Sequence, residues 1–246
     1  MNDKAVRGAL AEDIAGLLAE CRAAREQITC DGALRPPFAA LARWQTARLG
    51  HTHQDFLASP RYRPAASFVF SDLYGDRDYS PRDQDLERVY PLMVRLMPAG
   101  ALDSIILALE THALTQTLDI AIVQKLDSEA GDQLPINAAR YAAAYRACDN
   151  AALRRRQIEL VVATGKLLDQ VVDQPLIYSL IRLTHGPAHM AGLGALHDFL
   201  ESGFKAFRHM RGATEFLNII RERELQVMEQ ILAGAPTQRW APEELA

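Results

Sequence analysis

Proline and glycine divide this sequence into segments rich in helix-forming residues, and this punctuation constrains the fold more than any other feature. Between the breaks the chain is dominated by Ala, Leu, Arg, Glu and Gln, which lose little free energy on entering a helix. The one Asp-Gly pair, Asp31-Gly32, joins two stretches of helical period, so it does not predict a β-hairpin. The sequence therefore predicts an all-α fold without strands.

The breaks predict about nine helices in a single compact bundle. The clearest helix start is Ser80-Pro81-Arg82-Asp83, where serine can cap the helix and proline fits its first turn. Another segment is apolar nearly all round, which predicts a central buried helix near 98–126. No long linker interrupts the pattern, so we expect one helical domain over residues 1–234. The polar, Pro-containing residues 235–246 predict a flexible C-terminal tail.

Composition excludes several classes of protein. The formal net charge is only -4, so no strong field favours a polyanion, and we expect no nucleic-acid partner. Three cysteines without a CxxC pair predict reduced thiols. Charges interrupt every apolar run before the roughly 20 residues that a bilayer requires, so we expect no membrane span. The first twenty residues do not resemble a secretory signal, and we expect a cytoplasmic protein.

Glu110 has no polar neighbour three or four residues away on its own helix. Its neighbours three and four residues away are Ile106, Leu107, Ala113 and Leu114. A buried carboxylate must be paired or protonated, so we expect an arginine from another helix to face it. The candidate arginines are Arg146, Arg154 and Arg182. The pattern leaves open whether Glu110 forms a structural ion pair or anchors a ligand.

The histidines do not predict a metal site. His185 and His189 have the spacing of two ligands on one helical turn, but Gly186-Pro187 lies between them and predicts that His185 is outside the helix. His51 and His53 alternate, which is typical of solvent-facing histidines on a helix. The Glu-x-x-His motif of ferritin-like di-iron proteins does not occur in the sequence. We therefore expect no metal and no cofactor.

The segment FVFSDLYGDRDYSPRDQD, residues 68–85, combines aromatic residues, an acid at Asp72 and Tyr74 directly before a Gly75 turn. One interpretation packs the aromatic rings in the core while the following charges fix the turn. The other makes the segment part of a binding pocket. Both interpretations stay open at this point.

The same segment resembles the FFLEELY-motif proteins, a family of uncharacterised bacterial proteins. Phe68, Leu73 and Tyr74 match the heptapeptide, and Asp72 replaces its second glutamate conservatively. The sequence departs from the motif at Val69, Phe70 and Ser71. Later segments that begin at Gly186 and Gly212 are also similar to such proteins. The resemblance implies a helical fold and a bacterial, cytoplasmic setting, and it implies no established activity.

Two hypotheses about function follow. The first is a non-catalytic module that binds a small ligand or a protein partner, with a ligand-binding site formed by Asp72, Tyr74, Glu110 and Arg182. The alternative is a helical enzyme of haem-oxygenase-like or ferritin-like architecture, which fold analogy alone supports. A symmetric homodimer is compatible with either hypothesis. The sequence does not name the ligand, the substrate or the partner.

Overall fold

Eleven α-helices contain most of the residues that the structure describes. The structure is a computed structural model, and it describes residues 3–30, 34–73, 79–96, 99–129 and 135–242. No strand occurs within these ranges, which confirms the predicted all-α class. The helices are α1 Asp3–Cys30, α2 Arg35–Thr52, α3 Gln54–Ala58, α4 Arg63–Ser67, α5 Ser80–Leu96, α6 Ala99–Glu129, α7 Ala138–Ala147, α8 Ala151–Val172, α9 Pro175–Met190, α10 Gly194–Met210 and α11 Thr214–Leu232.

A π-helical turn, Phe68–Leu73, follows α4 directly. Its first three residues, Phe68, Val69 and Phe70, are all buried, although successive residues of a regular α-helix point in different directions. Gly203 of α10 allows the close approach, because a Cβ there would lie only 2.8 Å from the ring of Phe68. Phe68 and Phe70 therefore pack in the core, as one of the two interpretations predicted for the aromatic residues, while Tyr74 lies outside the described residues.

Helix α9 continues through Pro187, where the sequence predicted a break. A proline inside a helix removes one backbone hydrogen bond, and its ring presses on the preceding residue. That preceding residue is Gly186, which has no Cβ to meet the ring, and α9 ends at Met190, less than one turn later. The free-energy cost of Pro187 is therefore confined to the last turn of α9. The prediction that His185 lies outside the helix is therefore wrong.

Three clusters of buried apolar side chains hold the bundle together. The largest is centred on Phe56, Phe68 and Phe216, between α3, the π-turn, α10 and α11. The second surrounds Trp44, Tyr141 and Trp240. The third lies between α1 and α6 and contains Ile14, Leu18, Cys21, Leu102, Leu109 and Ala113. The first two clusters approach each other around the cavity described below.

Helix α6 is central, as the sequence predicted for residues 98–126. It packs against α1, α2, α7 and α8, and Leu102, Ile122 and Val123 are completely buried. By length and composition alone, its segment Leu102–Leu126 could also cross a membrane. The core of a helical bundle satisfies the same two criteria.

The C-terminal segment is attached to the bundle at least as far as residue 242. Trp240 and Ala241 are each 3% exposed and belong to the second apolar cluster. Within the predicted flexible tail, residues 235–246, the ring of Trp240 is thus buried, because burial of a large apolar ring is favourable, and the flexibility of the tail stays a prediction. Residues 243–246 lie outside the described ranges. The single-domain organisation of residues 1–234 stays a prediction.

Candidate functional site

The structure describes the side chains of only two of the four residues in the ligand-binding site that the sequence suggested, Glu110 and Arg182, so the site as a whole stays a prediction. The side chain of Asp72 and the whole of Tyr74 lie outside the described residues. Glu110 projects from α6 with 37% of its side chain exposed, and its Oε1 accepts from Nη2 of Arg156 at 2.8 Å. Arg182 is exposed on α9. No hydrogen bond or ion pair joins Glu110 to Arg182 among the residues that the structure describes.

Glu110 is thus a surface ion pair and not a buried one. An arginine from another helix does face it, as expected, but the partner is Arg156 and none of the three candidates. Arg154, two residues earlier on α8, points into the interior instead and is 4% exposed. Apolar neighbours on the same helix predicted burial wrongly, because α8 leaves this edge of α6 open to solvent.

A cavity of about 80 Å³ lies between the first and second apolar clusters. Side chains from α2, α7, α8 and α11 and from the π-turn line it. The polar part of the lining consists of Gln45, Arg48, Tyr141, Tyr145, Arg154, Gln157 and Glu224. The apolar part includes Leu49, Val69, Ile220 and Met228. An interior space with this many charged groups needs a chemical explanation, because buried charges are costly unless they are paired.

One pair of charges in the lining is tightly bound. Nη1 of Arg48 lies 2.7 Å from both carboxylate oxygens of Glu224, and Nε2 of His53 lies 3.0 Å from Oε1 of the same carboxylate. Burial opposes the ionisation of Glu224, but Arg48 and His53 outweigh it and lower the pKa of Glu224 to about 2. Glu224 is therefore an anion in the folded protein at neutral pH.

His53 was expected to face solvent and is in fact completely buried. It ends α2 and occupies the junction with α3, so the alternation with His51 that predicted exposure does not apply across this break. Its ring stacks near Phe56 and Phe70, with centroid distances of 5.6 and 5.3 Å. His53 is thus a fully buried second partner of the Glu224 carboxylate.

The second arginine of the cavity is bound more loosely. Arg154 donates from Nη2 to the carbonyl oxygen of Leu118 at 2.9 Å, and its guanidinium lies 4.9 Å from the ring centroid of Tyr145. Its nearest carboxylate, Asp119, is 3.9 Å from Nη1, beyond hydrogen-bond length. Asp119 instead accepts from Nε2 of Gln45 at 3.0 Å. Burial raises the pKa of Asp119, and Arg154 and Gln45 offset only part of this rise.

Each of the two buried arginines retains a donor without a partner. Among the described residues, Nε of Arg48 and Nε of Arg154 have no hydrogen-bond acceptor. Buried polar groups are nearly always paired, so two such donors around one cavity are unusual. Both residues belong to the cavity lining. Two buried cations in the lining of one cavity are suited to a ligand that carries negative charge.

Sequence reasoning missed most of this cavity. The sequence predicted Arg154 only as a candidate partner for Glu110, and it assigned no role to Arg48, Asp119 or Glu224. The signal that could have found the site is a charged residue between apolar neighbours, such as Asp119 between Leu118 and Ile120 in the central helix. Nothing in the local pattern connects Asp119 with Arg48 or Glu224, which lie on distant segments.

The fold and the cavity define an all-α helical bundle with a charged interior site. Residues 24–238 of the chain match the family described as "Domain of unknown function (DUF8198)", and the chain belongs to that family. No curated protein and no solved structure matches the chain.

Proposed function

We propose that this protein is a non-catalytic binding module that holds a small O–C–O anion, such as formate, acetate or bicarbonate, in its interior cavity. The observation that carries the proposal is the pair of buried arginines, Arg48 and Arg154, that line the cavity and retain an Nε–H donor without a partner among the described residues. Leaving a buried donor unpaired costs about 1–3 kcal/mol. An anionic acceptor recovers this cost and adds a charge-assisted hydrogen bond.

The size of the cavity limits the ligand. Its volume of about 80 Å³ is roughly half that of the engineered 150 Å³ cavity that accepts benzene. The ligand therefore has roughly four non-hydrogen atoms, which suits acetate and bicarbonate.

The charges of the lining favour an anion over a cation. Arg48 and Arg154 are both positive, whereas only Glu224 has a lowered pKa. The pKa of Asp119 is raised by burial, so this carboxylate is the weaker source of negative charge. A planar carboxylate also matches the planar guanidinium group in geometry. The apolar part of the lining, including Leu49 and Val69, suits the methyl group of acetate.

The wider setting of the protein belongs to the same proposal. From its resemblance to the FFLEELY-motif proteins, we propose that the protein is bacterial and cytoplasmic. That it binds neither nucleic acid nor membranes stays a prediction from the sequence, and a symmetric homodimer is compatible with the proposal.

Calorimetric titration tests the proposal. Sodium formate, acetate and bicarbonate are each titrated into the full chain at constant ionic strength, with sodium chloride as the reference. We expect saturable 1:1 binding of at least one of the three anions. Arg154→Gln should weaken that binding by about 10- to 100-fold, because a hydrogen bond to a charged group contributes about 1.5–3 kcal/mol.

Arg155→Gln is the matched control, because Arg155 is the next residue on α8 but is half-exposed and pairs with Glu229. It should bind as the wild type does. A second variant, Val161→Phe, fills the cavity without changing its charge and should also abolish binding. Equal affinity of the wild type, Arg154→Gln and Val161→Phe for each anion would rule out the cavity as the binding site.

A further inference from the structure

Three histidines and an aspartate converge where α9 and α10 meet. His185 and His189 belong to α9, and His197 and Asp198 belong to α10. One ring nitrogen of each histidine and one carboxylate oxygen of Asp198 all lie within 4.8 Å of one another. This group is separate from the interior cavity and shares no residue with it.

The path of the chain explains the convergence. Because α9 continues through Pro187, His185 and His189 are four residues apart on one helix and face the same way, with ring centroids 4.5 Å apart. Gly192, with a φ of 71°, then reverses the chain. Gly194 begins α10 so close to α9 that a Cβ there would lie 2.7 Å from Nδ1 of His189. The first turn of α10 consequently brings His197 within 5.3 Å of His185, measured between ring centroids.

His197 is oriented as metal-binding histidines are. It is 8% exposed, and its Nε2 lies 2.8 Å from the carbonyl oxygen of Ile181. A carbonyl oxygen can only accept, so Nε2 carries the proton and the lone pair of the neutral ring is on Nδ1. Nδ1 has no hydrogen-bond partner among the described residues. Donation of one ring N–H to a backbone carbonyl is the usual way in which proteins fix a ligating imidazole.

The carboxylates supply the negative charge that a cation requires. Oδ1 of Asp198 lies 2.9 Å from Nε2 of His189 and 3.9 Å from Nδ1 of His185. Glu201, one turn further along α10, lies 3.4 Å from Nδ1 of His185 and is held by Lys205 at 2.7 Å. Asp198 is therefore the carboxylate at the centre of the group, and Glu201 is its neighbour.

We propose that His185, His189, His197 and Asp198 bind a divalent transition-metal ion, and that Zn²⁺ is the preferred occupant. Three imidazole nitrogens and one carboxylate oxygen form a tetrahedral ligand set that zinc accepts. Ligand atoms around zinc at about 2.0–2.1 Å are separated by roughly 3.3 Å, so small side-chain rotations bring the group together. Since the protein provides all four ligands, the site has the closed pattern of a structural zinc site, which would join α9 to α10.

The alternative interpretation is a surface network of histidines and carboxylates without a metal. Such a network accounts for the contact between His189 and Asp198, but it does not explain why Nδ1 of His197 is buried without a partner. Two exposed histidines on one helical turn also chelate metal weakly by themselves. Variants of His197 and Asp198 on α10 therefore distinguish a four-ligand metal site from chelation by His185 and His189 alone.

The test titrates Zn²⁺ alone into full-length protein that has been freed of metal with a chelator. We expect 1:1 binding, a thermal unfolding midpoint that rises with Zn²⁺ concentration, and an intense visible spectrum of the tetrahedral type on substitution with Co²⁺. His185→Gln and Asp198→Asn replace half-exposed side chains, so they should leave the fold intact. Each should weaken Zn²⁺ binding by about 100-fold, as should His197→Gln.

His209→Gln is the matched control. His209 also lies on α10, but it is exposed and its Nε2 lies 3.1 Å from the carbonyl oxygen of Pro60, outside the group. This variant should bind Zn²⁺ as the wild type does. The proposal is overturned if the wild type shows no 1:1 binding. It is equally overturned if Asp198→Asn and His197→Gln bind Zn²⁺ like the wild type, since α9 alone would then hold the ion.

Discussion

Replacement of Glu224 by glutamine removes the negative charge of the buried pair in the cavity wall. Arg48 is 8% exposed, and its Nη1 lies 2.7 Å from the Glu224 carboxylate. Breaking a buried pair leaves the other charge uncompensated, which costs about 3–5 kcal/mol. The structure offers a matched comparison in Glu110→Gln, which breaks a pair of similar length at the surface. Exposed ion pairs contribute only about 0–1 kcal/mol.

The pKa of Glu224 provides a second estimate of the same free energy. It falls from the ordinary 4.5 to about 2 in the folded protein. The unfolded chain therefore binds the proton more tightly, and protonation favours unfolding. A pKa difference of about 2.5 corresponds to roughly 3 kcal/mol, which agrees with the first estimate. This contribution is fully present above about pH 4.5 and is lost as the pH falls towards about 2.

Urea denaturation followed by far-ultraviolet circular dichroism measures both effects. At pH 7, we expect Glu224→Gln to lose about 3–5 kcal/mol of unfolding free energy. Glu110→Gln should lose less than about 1 kcal/mol. Between pH 5 and 3, stability should also fall less steeply in Glu224→Gln than in the wild type. Equal losses in the two variants at pH 7, or an unchanged acid dependence, would refute the assignment of Glu224 to a buried pair.

Three further predictions concern packing and reactivity. In Gly165→Ala, the new Cβ would lie 2.5 Å from Cδ2 of buried Leu217, so we expect a loss of about 1–3 kcal/mol in urea denaturation. Gly16→Ala, at an exposed and open position of α1, should instead gain about 0.5–1 kcal/mol of unfolding free energy. Equal changes in unfolding free energy in Gly165→Ala and Gly16→Ala would contradict the packing of α8 on α11. Trp240→Ala should cost about 3–5 kcal/mol, whereas a change below about 1 kcal/mol would show that residue 240 is not buried. Burial raises the pKa of Cys21 to about 12, so iodoacetamide at pH 8 should leave Cys21 unmodified until denaturant is added. Peptide mass spectrometry measures this modification, and rapid modification of the native protein would contradict the burial of Cys21.

The fold was predictable because its determinants are local. Helix-forming composition, capping residues and proline positions act within one or two turns, and the helix that begins at Ser80 starts where its capping sequence predicts. The rule for Pro187 failed because the proline lies in the last turn of α9, where the lost hydrogen bond costs least, and follows a glycine, which has no Cβ to meet its ring. Because of this error, the sequence did not predict that His185 and His189 share one face of α9, or that they form a group with His197 and Asp198 of α10.

The interior cavity was not predictable, because its residues lie far apart along the chain. Arg48 and Glu224 are separated by 176 positions, and only the tertiary fold brings these residues of α2 and α11 together. For Glu110, the sequence predicted burial of a side chain that is in fact partly exposed. Its neighbours on α6 are apolar, but burial depends on which other helices cover that face, and the sequence does not encode this in any local pattern.

The most direct measurement observes the two arginine Nε–H groups themselves. In a ¹H–¹⁵N spectrum, the Nε–H signals of Arg48 and Arg154 can be assigned from the variants Arg48→Lys and Arg154→Lys. Titration with formate or acetate at constant ionic strength should move both signals along a saturable curve, while the signal of Arg155 stays in place. Signals of Arg48 and Arg154 that do not move, or that move in proportion to added salt without saturation, would contradict an anion-binding cavity.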